Sequence, residues 1–291
     1  MTRADAVAIE SAVSTAMAVA RQLGDRVRDA EVLHAGANVV VRLGPVPVVA
    51  RVAHWTALVR PEPADALARE VALASWLHVR GVPVVRPSAL LPPGPHRTDG
   101  HVLTFWAEAA GAVTTLDPEA TAQTLAALHE ALEQYPGDLP DGPQAFAADA
   151  VRGVEVAAAA GLLDVGQADA VIADAALADA VPAGGRPLHG DPHPRNLLTT
   201  ADDVLWNDFE DAFRGPLEWD LAVLRRTAVQ DGEAALAAYL ALTGVRPDPE
   251  LLTACVRLRD WQALCWTLLS AVYRPERVAA GNSLLTRWLA R

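Results

Sequence analysis

An α+β chain of two lobes is predicted, a small lobe with a mainly antiparallel sheet and a large lobe that is mainly helical. Three observations predict it. β-branched runs bounded by turn residues recur between positions 31 and 106, and alanine- and leucine-rich stretches with helical spacing fill most of the chain beyond them. The 291 residues, 52% hydrophobic and 21% charged, suffice for two cores and exclude general disorder. The division is expected at residues 1–105 and 106–291.

In chain order, residues 4–23 read as an amphipathic helix with Ile9, Val13, Ala16, Ala20 and Leu23 on one side. Residues 31–42 and 48–53, joined through Gly44-Pro45-Val46-Pro47, read as a strand hairpin and its continuation. A helix over 65–77 comes next, with Asp65 at its expected N-cap and an apolar stripe of Leu67, Val71, Ala74 and Leu77. Residues 82–87 and 101–106 read as extended segments separated by a Pro/Gly-rich stretch from 91 to 100, and would complete the sheet. Residues 105–111 fit a hinge between the lobes. Beyond it, Asp117-Pro118-Glu119 opens a helix carrying Leu125, Leu128 and Leu132 beside a structural His129. Residues 146–180, 220–243 and 248–269 read as helical, the last with Trp261 and Trp266.

Chemistry concentrates in His189-Gly190-Asp191-Pro192-His193-Pro194-Arg195-Asn196 and in Trp206-Asn207-Asp208-Phe209-Glu210. Asp191 and Asn196 stand five residues apart, the separation of the catalytic loop H-R-D-x-x-x-x-N of protein kinases. The intervening Leu197 and Leu198, a polar turn at 199–203, and Val204-Leu205-Trp206 read as a hairpin that returns Asp208 to the end at which Asn196 leaves. Phosphoryl transfer needs a carboxylate beside the attacking hydroxyl or amine, which Asp191 supplies as the catalytic base. It also needs hard oxygen ligands for magnesium, which Asn196 and Asp208 supply together with the nucleotide phosphates. Gly, Asp and Pro are also ordinary turn formers, but order and spacing together favour the catalytic reading. A metal triad of His189, Asp191 and His193 would leave Asn196 and Asp208 without a role.

HGDPHPRNLL followed by VLWNDFEDAFRGPLEWDLA resembles the aminoglycoside phosphotransferase and choline-kinase-like family of small-molecule kinases. The resemblance implies a bilobal protein-kinase-like fold and ATP- and Mg2+-dependent transfer to a small-molecule alcohol. It makes Asp191 the base and Asn196 and Asp208 the metal ligands, with Asp220 bracing the catalytic loop. Glu210, Asp211 and Glu218 fall outside the pattern and by default take solvated or turn roles.

Upstream, the turn at residues 35–38 has one glycine and lacks a Gly-x-Gly-x-x-Gly signature, yet backbone N–H groups from Gly36 to Asn38 are suited to face phosphate oxygens. No lysine occurs anywhere, and all 24 basic residues are arginine. Arg51 stands where kinases carry the strand lysine and shares a strand face with Val49 and Ala53. Val49 would then cover adenine, Arg51 would clamp phosphate, and Glu70 would be its helix partner. Arginine for lysine is not a conservative exchange, and with the sparse glycine turn it sustains a rival expectation of a catalytically silent nucleotide-binding regulator.

Residues 1–105 carry 11 Arg against 9 Asp and Glu, a net of +2, whereas 106–291 carry 13 against 27, a net of −14. An acidic chain disfavours nucleic acid as a partner, and the acid in the large lobe is compatible with a cationic small-molecule acceptor. No apolar run reaches the length of a membrane span, and a start rich in acids does not resemble a signal peptide, so a cytoplasmic protein is expected. Cys255 and Cys265 lie ten apart on one predicted helix, too far to bond to each other, and are expected as buried thiols.

Overall fold

The computed structural model describes residues 1–24, 26–98, 100–113 and 116–291. Thr2 caps the first helix, α1 (Arg3–Gln22), by accepting from the Asp5 N–H. A five-stranded sheet comes next, made by β1 (Asp29–Ala35), β2 (Asn38–Gly44), β3 (Val48–Ala53), β4 (His96–Thr98) and β5 (His101–Ala107) in the spatial order β1-β2-β3-β5-β4. Every pairing in it is antiparallel. The period of two sorts β3 sharply. Val48, Ala50 and Val52 are fully buried in an apolar cluster with Ala12, Ala16 and Ala20 of α1, while Val49 and Arg51 face the other way, into a cleft. Leu23, expected on the apolar face of α1, lies just past its end and is exposed.

Between β3 and β4 come α2 (Thr56–Val59) and α3 (Pro63–Val79). The predicted stripe Leu67, Val71, Ala74 and Leu77 is buried throughout. The N-cap is Glu62 and not Asp65, because Pro63 takes the first helical position, where a missing N–H costs nothing. Residues 82–87 are extended but form no sheet strand. Pro83 and Pro87 have no N–H to give a ladder, and the segment makes only single bridges, Val84 to Trp206 and Pro87 to Trp106. The Pro/Gly-rich stretch expected as a separator instead contains β4; Asp99 within that stretch lies outside the described residues.

After β5 the chain runs through β6 (Gly111–Val113) into α4 (Pro118–Leu132), capped by the Asp117 side chain on the Ala120 N–H, then α5 (Gln144–Ala159) and α6 (Val165–Ala173). Strands β7 (Arg186–Leu188), β8 (Leu197–Thr200), β9 (Val204–Trp206) and β10 (Phe213–Gly215) form two small antiparallel sheets, β10-β7 and β6-β8-β9. Helices α7 (Glu218–Arg225), α8 (Gly232–Thr243), α9 (Pro249–Tyr273) and α10 (Val278–Leu289) complete the fold. The stretch 220–243 is thus broken over 226–231. Asp231 caps α8, and Gly232 packs so tightly that a Cβ there would lie 2.0 Å from the Arg225 carbonyl oxygen.

A second, larger apolar cluster joins α3 to the helical body through Val71, Leu73, Ala74 and Leu77, with Trp206, Trp219, Trp261 and Phe213 among its largest members. Full burial of each large side chain contributes roughly 1.5–3 kcal/mol. The sheet is also tied to the far end of α9. Buried Asp5 accepts from Arg274, from Trp55 Nε1 (3.3 Å) and from His54 Nε2 (2.9 Å), and Arg274 Nη2 reaches the Ala35 carbonyl (3.1 Å). No helix among the described residues is long and apolar enough to cross a membrane.

Candidate functional site

A cleft of about 710 Å³ opens beneath the sheet. Val40 and Val49 line its roof, Trp106, Ala107 and Ala109 its hinge side, and Leu198 its floor, while Arg51, Glu70, Asn196 and Asp208 gather at one end. An apolar slot with a polar end is the usual form of a nucleotide site.

Arg51 is 8% exposed, which excludes a surface arginine. Its Nη1 donates to Glu70 Oε1 at 2.5 Å and its Nη2 to Asp208 Oδ1 at 2.5 Å, with Glu210 Oε1 at 3.1 Å. Burial works against this cation, but Asp208, Glu70 and Glu210 outweigh it and push the guanidinium well above its ordinary range. The carboxylates divide. Burial pushes Glu70 up to about 8 against the pull of Arg51 and also raises Glu210, while for Asp208 Arg51 overcomes burial and the group is lowered. Arg51 and Asp208 therefore hold their charges, while burial favours a proton on both Glu70 and Glu210.

Glu210, expected to be solvated, is 9% exposed and central. Besides Arg51 it accepts from Asn38 Nδ2 (3.1 Å) and lies 3.2 Å from Arg60 Nη1. Arg60, at the end of α2, also donates to Asp149 Oδ2 (2.9 Å) and to Asp211, and these acids hold it charged against burial. Asn38 thus turns its side chain toward Glu210 and Thr56, and the Gly36 N–H is spent on the Asn38 carbonyl (3.0 Å), closing the β1–β2 turn. Of the two turn residues singled out for phosphate contact, Asn38 lines the cleft, whereas Gly36 is not among its lining residues.

The catalytic-loop segment is held from below. Gly190 has φ 86°, and a Cβ there would lie 1.9 Å from the Asp211 carbonyl oxygen, so only glycine passes. Asp220, fully buried on α7, accepts from the N–H groups of Gly190 and His189 and from His129 Nε2, each at 3.0 Å. The Tyr239 hydroxyl bonds to His129 Nδ1 (2.8 Å), so His129 is structural in a specific sense: it orients the brace. His189 Nε2 donates to the Asn207 carbonyl (3.1 Å) and its Nδ1 accepts from the Asp191 N–H (3.3 Å). His193 Nδ1 accepts from the Arg195 N–H (3.2 Å), and its Nε2 meets the Thr227 hydroxyl (3.3 Å). With their ring nitrogens so engaged, the two histidines do not form a metal triad with Asp191, and no group of three or more His, Cys, Asp or Glu among the described residues could hold a metal.

Asn196 Nδ2 donates to the Asp191 carbonyl (2.9 Å), which leaves Oδ1 as its free oxygen, and the Asn207 N–H and side chain both bond the Asn196 carbonyl (3.0 and 2.9 Å). Asp208 has φ 67°, a left-handed conformation uncommon outside glycine and typical of functional turns. A free amide oxygen and an ionised carboxylate on one cleft wall are hard donors that fit magnesium. Asp191 itself carries a partner that the sequence did not suggest: Arg259 Nη2 of α9 donates to Asp191 Oδ1 at 2.5 Å, and its Nη1 to Gln262 Oε1 at 3.0 Å. Arg259, Arg60 and Asp149 approach the site from helices distant in sequence, and no local pattern marks them.

A buried cation paired to a helix carboxylate in the roof, with Asp191, Asn196 and Asp208 on loops below, defines a phosphotransferase of kinase-like fold. The chain belongs to the phosphotransferase enzyme family, whose model matches residues 28–255. Among solved structures it is similar to the GDP and kanamycin complex of APH(2")-IIia, at 20% identity and TM-score 0.62 over 95% of this chain and 98% of that one. It is also similar to the amicoumacin kinase hAmiN in complex with AMP-PNP and Ca2+, at 13% identity and TM-score 0.65, covering 96% and 94% of the two chains. A microcompartment-associated aminopropanol kinase aligns at 17% identity and TM-score 0.62, covering 95% and 98%. No curated protein matches the chain in sequence. Family and fold lend nothing to the silent-regulator reading.

Proposed function

We propose that this phosphotransferase moves the γ-phosphoryl group of ATP, with magnesium, onto a hydroxyl of a small molecule. The observation that carries the proposal is the gathering of Arg51, Glu70, Asn196 and Asp208 at one end of an apolar cleft, with Asp191 five residues before Asn196 on the same loop. Val49 covers the base of the nucleotide. Arg51 supplies positive charge for phosphate and is held by Glu70, and Gly36 and Asn38 shape the turn above the phosphates. Asn196 and Asp208 would hold the magnesium ion, which when bound would supply positive charge to the phosphates. Asp191 accepts the proton as the acceptor oxygen bonds to phosphorus and ADP leaves. Residues 1–105 form the nucleotide lobe and 106–291 the catalytic and acceptor lobe, although α3 packs into the larger core.

The names borne by the structural neighbours support an aminoglycoside-, amino-alcohol- or sugar-like acceptor, cationic in the first two cases. The expected site of action is the cytoplasm. The test pairs Asp191→Asn with Asp208→Ala. ADP release is assayed over a panel of aminoglycosides, amino alcohols and sugars, and ATP binding is titrated with and without magnesium. Asp191→Asn abolishes transfer and keeps nucleotide binding; Asp208→Ala loses the magnesium-dependent part of binding. Turnover by Asp191→Asn near the wild-type rate would remove the base assignment.

A further inference from the structure

We propose that Arg195 binds the terminal phosphate of the nucleotide. The proposal rests on the nucleotide reading of the cleft.

Two arginines line the cleft, Arg51 and Arg195, and their circumstances differ. Arg51 is bonded to Glu70 and Asp208 and has Glu210 at 3.1 Å, so three acids surround one cation. The other guanidinium groups around the site are committed in the same way: Arg60 to Asp149 and Asp211, Arg226 to Asp260, and Arg259 to Asp191. Among the described residues, Arg195 is the arginine of the cleft wall whose guanidinium bonds no carboxylate, and it is exposed. Arginines without a carboxylate partner occur elsewhere in the large lobe, Arg214 and Arg287 among them, but Arg195 is the one that lines the cleft, where its charge is open to an anion that enters.

The position selects which anion. Arg195 lies in a single tight turn, Pro194–Asn196, whose backbone is fixed on both sides. Its own N–H donates to His193 Nδ1, and the Asn196 N–H donates to the His193 carbonyl (2.7 Å). Pro194 is buried and holds its φ, so the stem of Arg195 leaves a rigid base. That base stands in the loop between Asp191 and Asn196; Arg195 and Asn196 both line the cleft, and Asn196 is bonded to the Asp191 carbonyl and to Asn207, the neighbour of Asp208. Arg51 serves the phosphates from the roof and Arg195 from the floor. The terminal phosphoryl group, whose charge grows on its outer oxygens during transfer, is the group nearest the floor arginine.

The discriminating measurement is the affinity for magnesium AMP-PNP against magnesium ADP, by calorimetry, for the wild type, Arg195→Ala and Arg195→Lys. Arg195→Ala weakens the triphosphate analogue by about 10-fold or more, the loss of one charge-assisted contact, and leaves ADP within about twofold. Arg195→Lys recovers part of the loss, and both variants melt as the wild type does, since an exposed unpaired side chain supports no core. Equal affinities of the wild type and Arg195→Ala for the triphosphate would overturn the proposal, as would an equal loss for both nucleotides. If the wild type binds neither nucleotide, the reading of the cleft fails, and this assignment fails with it.

Discussion

Replacing Asp220 by Asn separates bracing of the loop from chemistry. Asp220 is fully buried, and its two oxygens receive three N–H donors: Gly190 on Oδ1, and His189 and His129 Nε2 on Oδ2. An amide offers one oxygen and one NH2. Seated with its oxygen at Oδ2, it sets the NH2 against the Gly190 N–H; flipped, it opposes two donors. In the better seating one bond to a charged acceptor is lost, at about 1.5–3 kcal/mol, and a buried donor is orphaned, at about 1–3 kcal/mol. Together these come to about 2.5–6 kcal/mol, centred on the roughly 3–5 kcal/mol found for breaking one side of a buried charged network, and that narrower range sets the expected shift in melting. At about 2–4 °C per kcal/mol the melting midpoint falls by roughly 6–20 °C. Thermal and urea unfolding followed by circular dichroism read this directly. Turnover also falls below the unfolding range, because Gly190 precedes Asp191 and the loop loses its anchor, whereas Asp191→Asn leaves the midpoint close to that of the wild type. A variant within about 1 kcal/mol of the wild type and fully active would refute the brace.

Three other perturbations act through buried charge and burial. For Glu70 the folded value of about 8 exceeds the ordinary 4.5, so its contribution to stability is complete below about pH 4.5 and is lost as pH rises toward 8. Glu70→Gln therefore gains stability relative to the wild type across that window, and parallel unfolding midpoints from pH 5 to 8 would contradict it. Arg51→Ala strands Glu70, Asp208 and Glu210 and costs roughly 3–5 kcal/mol together with nucleotide affinity, while Arg51→Lys keeps part of both; unfolding and ATP titration of the two variants decide it. Burial raises both thiols, Cys255 to about 12, so a thiol reagent should label neither until the protein unfolds.

Periodicity and local chemistry made part of the molecule legible in its sequence. The α3 stripe, the Asp117 cap, the alternation in β3 and the hairpin from Asn196 to Asp208 all depend on neighbours within a few residues, and all are present. Arg51 and Glu70 meet because strand and helix periods each place one of them on the cleft side. The failures have a different origin. Glu210 and Asp211 read as solvated because a charge in a short polar run has no local sign of a distant partner; Arg60, about 150 residues upstream, pairs with buried Glu210 and with half-buried Asp211. The break at 226–231 and the strand β4 are short departures inside stretches whose average composition pointed elsewhere. Helix α10 has a local signal, the spacing of Leu285 and Trp288 after Pro275, although the expected helices end at residue 269.

The net charge of the large lobe suggests a cationic acceptor, yet the structure shows how little of that charge is available at the site. Asp149 and Asp211 bond Arg60, Glu210 stands between Arg60 and Arg51, Asp260 bonds Arg226, and Asp220 serves backbone N–H groups. The base itself is no exception, since Arg259 lies 2.5 Å from Asp191 Oδ1. Oδ2 has only a long contact of 3.5 Å to Asn196 Nδ2, which makes it the oxygen open to an incoming hydroxyl. An ammonium directly beside the reacting hydroxyl would meet Asp191 already paired with Arg259, so the attraction of that carboxylate is largely offset. An ammonium several bonds away meets only the diffuse acid of the lobe, which attracts weakly and is screened over about 8 Å in physiological salt. If the acceptor is a cation, the net −14 of the lobe therefore acts on it as a diffuse, salt-screened attraction, and close to the reacting oxygen the Asp191–Arg259 pair is what it meets.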